Sequence, residues 1–262
     1  MTSPSSTEPT VGNAKRPLSR APLARVLCQI RWNQLSRFEL DKVADQVAQI
    51  IGDDYPLRDA QQEMEFVVSP SGVSQQTVGT IHRFQTADRT WTVSLGQQFL
   101  AVDTTAYEGH EDFVTRLEST VSALTRTATI PFLTRVGYRY VNHLTETTAV
   151  ESLRELFVEG VLGGLAQGDA RELRRTVSES VYSADGSNFL LVRSALLEPR
   201  MILEPTLPPV DGKSWVLDLD SYREDTNGFP VEGIAQLATD LSARAAKHFW
   251  SVITDEFVRR FE

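Results

Sequence analysis

The segment TRVGYRYVNHL, from Thr134 to Leu144, constrains the fold more than any other stretch of this chain. Its aromatic and β-branched content predicts a single β-strand. Side chains alternate across a strand, so Val136, Tyr138, Tyr140 and Asn142 share one face. Arg135, Gly137, Arg139, Val141 and His143 share the other. Such a strand belongs to a sheet with two unlike faces, one aromatic and one cationic. The cationic face is a solvated surface, an ion-pair lattice or a binding surface, and the sequence leaves the three open.

The elements around this strand follow an order that occurs twice. ARVLCQIRW, Ala24 to Trp32, predicts a first strand. A helix follows from Ser36 to Gly52, with Ser36 as N-cap and Glu39 completing a capping box. Phe38, Val43, Val47, Ile50 and Ile51 form its apolar stripe. EMEFVVS, GTIHRFQTA, RTWTVSL and QFLAVDTT read as strands, with a turn at SPSG. They lead into a helix near Tyr107 to Ala128 that turns Phe113, Leu117, Val121 and Leu124 inward. The strand at Thr134 then opens a second round. A helix at TAVESLRELFVEGVLGGL directs Leu153, Leu156, Phe157 and Val161 inward. LRRTVSESVYSA, FLLVRSALLE, MILEP and SWVLDLDSY read as strands, and REDTNGF as a polar connection. A long last helix breaks near Ile253 and Thr254.

Residue matches accompany the repeated order. ARVLCQIRWN lies against TRVGYRYVNH, sharing Arg25/Arg135 and Val26/Val136. FLAVDTTAY lies against SWVLDLDSY, sharing Asp103/Asp218 and Tyr107/Tyr222. The expectation is an α+β fold made by internal duplication of a strand-helix-(three to four strands)-helix unit. Mainly antiparallel sheets would carry long helices packed on one side. Residues 1–20 read as a disordered or extended tail, 21–130 as the first half and 131–262 as the second, the halves forming one compact unit. Such a saddle or half-barrel would offer a broad concave face, and ligands bind in concavities.

Composition narrows the functional classes. The formal net charge of -9 argues against a protein whose main task is holding nucleic acid through phosphates. No apolar run approaches the ~18 residues of a membrane span. The polar N-terminus lacks the apolar core of a signal peptide, and the single cysteine, Cys28, fits a reducing compartment. A cytoplasmic protein is the expectation.

Several phrases, taken in order, resemble a sporadically distributed bacterial family of uncharacterised proteins. They are Pro22 to Val26, Tyr107-Glu108-Gly109 with Phe113, and Arg135-x-Gly137-x-Arg139-Tyr140-x-Asn142. Trp215-x-x-Asp218-x-Asp220 and Phe249-x-x-x-Ile253-Thr254 complete the set. The resemblance spans nearly the whole chain from residue 20. Where family members carry an aromatic residue, this chain has His110. The resemblance implies a compact bacterial cytosolic unit, of an accessory or defence type, and carries over no reaction, cofactor or site.

Candidate chemistry is sparse. Asp218 and Asp220, two apart on a strand, place both carboxylates on one face and could hold Mg²⁺ for phosphoryl or nucleotidyl transfer, with His143 as a general base. The same aspartates could instead pair with Arg135 and Arg139. None of the four histidines is spaced as a ligand pair. Cys28 alternates with Val26 and Ile30, which predicts an inert core thiol. The glycine-rich run Gly160 to Asp169 lacks the flanks of a phosphate loop and predicts a helix end.

Arg171, Arg174 and Arg175 lead into a strand. With Arg135, Arg139 and Arg193 they would either converge on an anion or interleave with Glu172, Glu179, Asp218 and Asp220. Phe249, Trp250, Phe257 and Phe261 on the last helix would finish the core or form a dimer interface.

The leading expectation is therefore a non-enzymatic binding protein. It would dimerise and recognise a macromolecular partner, a protein, through a ligand or partner surface of Arg135, Arg139, His143, Arg174 and Arg193. One alternative is a metal-dependent phosphoryl-transfer or nuclease-like enzyme using Asp218, Asp220 and His143 with Mg²⁺. The other is a binder of a small anion or nucleic acid on the arginine face.

Overall fold

A computed structural model describes residues 18–69, 72–167, 172–203 and 207–262. Residues 1–17 of the expected tail, and Pro70, Ser71 and Arg171, fall outside the described residues. The chain is α+β. Among the described residues, nine strands form one sheet in which every neighbouring pair is antiparallel.

The strands are β1 (Leu23–Arg31), β2 (Leu57–Ser69), β3 (Gly72–Gln85), β4 (Trp91–Gly96), β5 (Phe99–Thr104), β6 (Leu133–Leu144), β7 (Thr176–Ser183), β8 (Asn188–Leu197) and β9 (Ser214–Phe229). Their order across the sheet is β2-β3-β4-β5-β1-β6-β9-β8-β7. The helices are α1 (Leu40–Ile51), α2 (His110–Thr127), α3 (Thr147–Glu151), α4 (Leu153–Leu156), α5 (Ile234–Val252) and α6 (Asp255–Phe261).

β1 and β6 pair in the middle of the sheet, with Cys28 opposite Tyr138 and Ile30 opposite Val136. Cys28, Ile30, Val136 and Tyr138 are at most 1% exposed. They pack with Val47 of α1, Phe113 and Leu117 of α2, and Ala238 and Leu241 of α5 in one apolar cluster. A second cluster joins Trp215, Leu217 and Leu219 of β9 to Phe157, to Ala245 and Val252 of α5, and to Phe257 and Phe261 of α6. α5 contributes to both, so one helix layer bridges the two ends of the sheet. Burial of this apolar surface, worth ~25 cal/mol per Å² removed from water, holds the helices to the aromatic face of β6.

Local chemistry explains several departures from the sequence reading. α1 begins at Leu40, with Glu39 at the cap position and no side-chain cap bond, so the capping box at Ser36 is absent. The helix expected after β6 is broken into α3, α4 and two 3-10 turns, Glu159–Val161 and Gly163–Ala166. Gly163 sits at φ +56, and a Cβ there would lie 2.2 Å from Ser178 Oγ, so the close approach to β7 requires glycine. β2 starts at Leu57, earlier than EMEFVVS. REDTNGF is not a loop: it continues β9 to Phe229 along β6. Met201 to Leu203 form no strand. Met201, Leu203 and Leu207 pack with Val141, Ala195 and Val216. Among the described residues, no helix is long and apolar enough to cross a membrane.

Candidate functional site: the concave arginine-bearing face

Alternation along β6 sends Arg135, Gly137, Arg139 and Val141 to the side opposite the helices, as the burial of Val136 and Tyr138 requires. Neighbouring strands extend that side through register. Val141 faces Asp218 and Arg139 faces Asp220 on β9. Asp218 faces Arg193 on β8, and Arg193 faces Glu179 on β7. On the other flank, Leu27 of β1 faces Asp103 of β5.

The charges interleave. Arg139 donates to Asp218 twice, from Nε to Oδ1 and from Nη2 to Oδ2, each at 2.7 Å. This two-pronged contact is among the stronger polar interactions available to a protein. Arg135 Nη2 donates to Asp220 Oδ2 at 2.7 Å, and its guanidinium lies 4.5 Å from the centre of the Tyr222 ring. Arg193 donates to Glu179 Oε2 from Nε and Nη2 at 2.9 and 2.7 Å and approaches Asp218 at 3.9 Å. Arg25 pairs with Asp103. Burial pushes the Asp218 and Asp103 carboxyls up from the ordinary carboxylate range, and Arg139 and Arg25 respectively oppose that shift.

The face is curled. One cavity of about 240 Å³ is lined by Gln61 of β2, Arg83 of β3, Ser94 of β4, Asp103 of β5, Arg25 of β1 and Arg139 of β6. In a flat sheet, β2 and β6, five places apart in this order, would separate by roughly 24 Å at about 4.8 Å per strand. Their meeting around one small cavity requires a concave sheet. Leu27, Ile81, Phe99, Ala101 and Val141 supply its apolar lining. Arg25 and Arg139 are engaged by carboxylates, whereas Arg83 makes no ion pair among the described residues and acts on Asp103 through space.

Several sequence-based assignments need correction. Asp218, Asp220 and His143 do not gather as a catalytic set. Asp218 is 2% exposed and clamped by Arg139, and Asp220 is held by Arg135. His143 opens on a separate cavity with Arg20, Glu146 and Phe261, and burial lowers its affinity for a proton. Among the described residues, no group of three or more His, Cys, Asp and Glu could hold a metal ion such as Mg²⁺.

Arg174 lies before β7, with its side chain 82% exposed, and bonds Glu198 at 2.7 Å rather than joining the face. Arg175 is exposed, and Arg171 lies outside the described residues. Phe257 and Phe261 are buried in the chain's own core, so neither is available as interface; Phe249 and Trp250 are half-buried beside them. Cys28 is buried, and desolvation pushes its thiol up to about 12.

The sequence reading missed Arg25, Arg83, Gln61 and Asp103 as parts of the site. Arg25 and Asp103 stood out only as repeat positions. Nothing in a linear pattern links Gln61 to Arg139, because curvature alone brings them together. No protein-family model matches this chain, and no curated protein matches it either.

Proposed function

We propose that this chain is a binding protein that recognises a macromolecular partner, a protein, through the concave face of its sheet. The observation carrying the reading is the cavity shared by six strands, with three guanidiniums and one carboxylate around an apolar floor. Such a mixed lining suits a protein surface that offers an acidic side chain beside apolar groups. Arg83 is the contact for that acid, since Arg25 and Arg139 already hold carboxylates.

Photo-crosslinking tests the reading. A crosslinking residue placed at Ile81 should capture one defined protein, and Arg83→Glu should abolish the capture without changing the fold. A crosslinker at Glu118, on α2, should not capture it. Labelling at Ile81 that matches Glu118 defeats the proposal. A rise in unfolding midpoint with Mg²⁺, a nucleotide or a short nucleic acid would replace it with the corresponding alternative.

The reading includes internal duplication. Its support is the mirrored order of the sheet, in which β1-β5-β4-β3 runs outward one way and β6-β9-β8-β7 the other. Cys28 also faces Tyr138 across the central pair, and the shift that lays Arg25 on Arg135 lays Cys28 on Tyr138. A pseudo-twofold axis passing between these two residues would account for both facts.

The reading also includes a homodimer of cytosolic, bacterial, accessory or defence type. β7 is the last strand of its sheet edge, and Val177 and Val181 are 56% and 57% exposed. An uncovered edge with apolar side chains is a template for another strand. Antiparallel pairing of two copies about Glu179 would set each Val177 against the partner's Val181. Light scattering should give twice 29.2 kDa, and Val181→Lys should give the monomer. A monomer for the unaltered chain would remove this part of the reading.

A further inference from the structure

A cavity of about 510 Å³ lies on the helix side of the sheet, away from the concave face. Its volume falls within the roughly 300–1,000 Å³ typical of small-molecule sites. Tyr107, before α2, and Tyr140 of β6 line it from the sheet side, and Phe249 and Trp250 of α5 line it from the helix side. Tyr107 and Tyr140 meet edge to face with ring centres 5.9 Å apart. Phe249 and Trp250 do the same at 5.9 Å. Tyr140 is fixed further by a 2.7 Å hydrogen bond between its hydroxyl and Ser242 Oγ.

A third wall is formed by Leu18, Ser19 and Ala21. It is tied to the end of α6: Ser19 Oγ donates to the Glu262 carbonyl at 2.8 Å, and the Arg20 amide donates to the Phe261 carbonyl at 3.0 Å. The wall is therefore held in place by the chain's own hydrogen bonds.

The electrostatics of the lining are one-sided. Among the described residues that line the cavity, Glu108 carries the charge, and no Lys, Arg or His joins it. Aromatic faces carry a negative quadrupole and attract cations, most strongly when the cation's neighbours exclude water. Four aromatic side chains and one carboxylate around a partly closed cavity disfavour an anion and favour an organic ammonium.

We infer that this cavity binds a small organic cation of the alkylammonium class, its charged head among Tyr107, Tyr140, Phe249 and Trp250 and balanced by Glu108. The inference does not depend on the concave-face reading.

The test uses the full chain and two probes, choline and benzyltrimethylammonium, titrated by calorimetry. The control is the neutral isostere of choline, in which a tert-butyl group replaces the trimethylammonium. Both cations should bind, and the neutral isostere should bind at least about tenfold more weakly. Glu108→Gln, at an exposed position, should weaken the cations by up to about fivefold and leave the isostere unchanged. Phe249→Leu should weaken the cations while far-UV circular dichroism stays the same. Equal binding of the isostere, or no heat with either cation, would overturn the inference.

Discussion

Arg139 grips Asp218 with two parallel hydrogen bonds of 2.7 Å across the β6–β9 pair, and that aspartate is 2% exposed. The pair sits in the concave face yet is built as structure. Taking one partner away leaves a buried charge without compensation, which typically costs about 3–5 kcal/mol. Asp218→Ala should therefore lower the unfolding free energy by that order in urea. Replacing both residues with apolar side chains, Arg139→Met with Asp218→Leu, should recover most of the loss. An Asp218→Ala protein as stable as the parent would show that the clamp contributes nothing.

Gly137 explains how two ion pairs fit side by side on this face. A Cβ at that position would lie 2.7 Å from Arg135 Nη1 and 3.0 Å from Asp220 Oδ1. The Arg135 side chain thus crosses over Gly137 to reach Asp220. Gly137→Ala should keep the fold but separate the pair. A double-mutant cycle between Arg135 and Asp220 should give coupling near zero in the Gly137→Ala background and a clearly positive value in the parent.

Tyr138 is fully buried in the central apolar cluster, and its hydroxyl, near that of Tyr107, makes no hydrogen bond of ordinary geometry among the described residues. Burial pushes that phenol well above its ordinary range. A buried hydroxyl without a partner carries a desolvation cost and no return. Tyr138→Phe should leave stability unchanged or raise it by up to about 1 kcal/mol. A loss larger than that in thermal or urea unfolding would reveal a partner for the hydroxyl.

Acid should destabilise the fold through its histidines. Burial lowers the pKa of His110, His143 and His248. A group depressed in the folded chain contributes stability above its unfolded value, about 6.5, and loses it as pH falls through the folded value. Urea midpoints should hold steady near pH 7.5 and fall as pH drops below about 6.5. His143→Gln should flatten part of that fall. A midpoint that stays constant as pH drops below about 6.5 would contradict the assignment.

The sequence by itself determined the strand at Thr134 to Leu144, its two faces, the inward stripe of α2 and the break between α5 and α6. These follow from periodicity, which is a property of neighbours in the chain. It also placed Arg135 with Arg139, and Asp218 with Asp220, on one face of their strands, because β alternation fixes the face of each, and left open whether their charges interleave.

Tertiary structure decided the rest. REDTNGF is polar, and only a partner strand, β6, makes it a continuation of β9. Phe257 reads as surface or core alike until Phe157 and Phe249 are seen packed around it. The concave cavity needs Gln61, Arg83 and Arg139 to meet across six strands, and the aromatic one needs α5 laid over β6. Both depend on sheet curvature and helix docking, which set distances between residues far apart in sequence and leave no periodic trace in it.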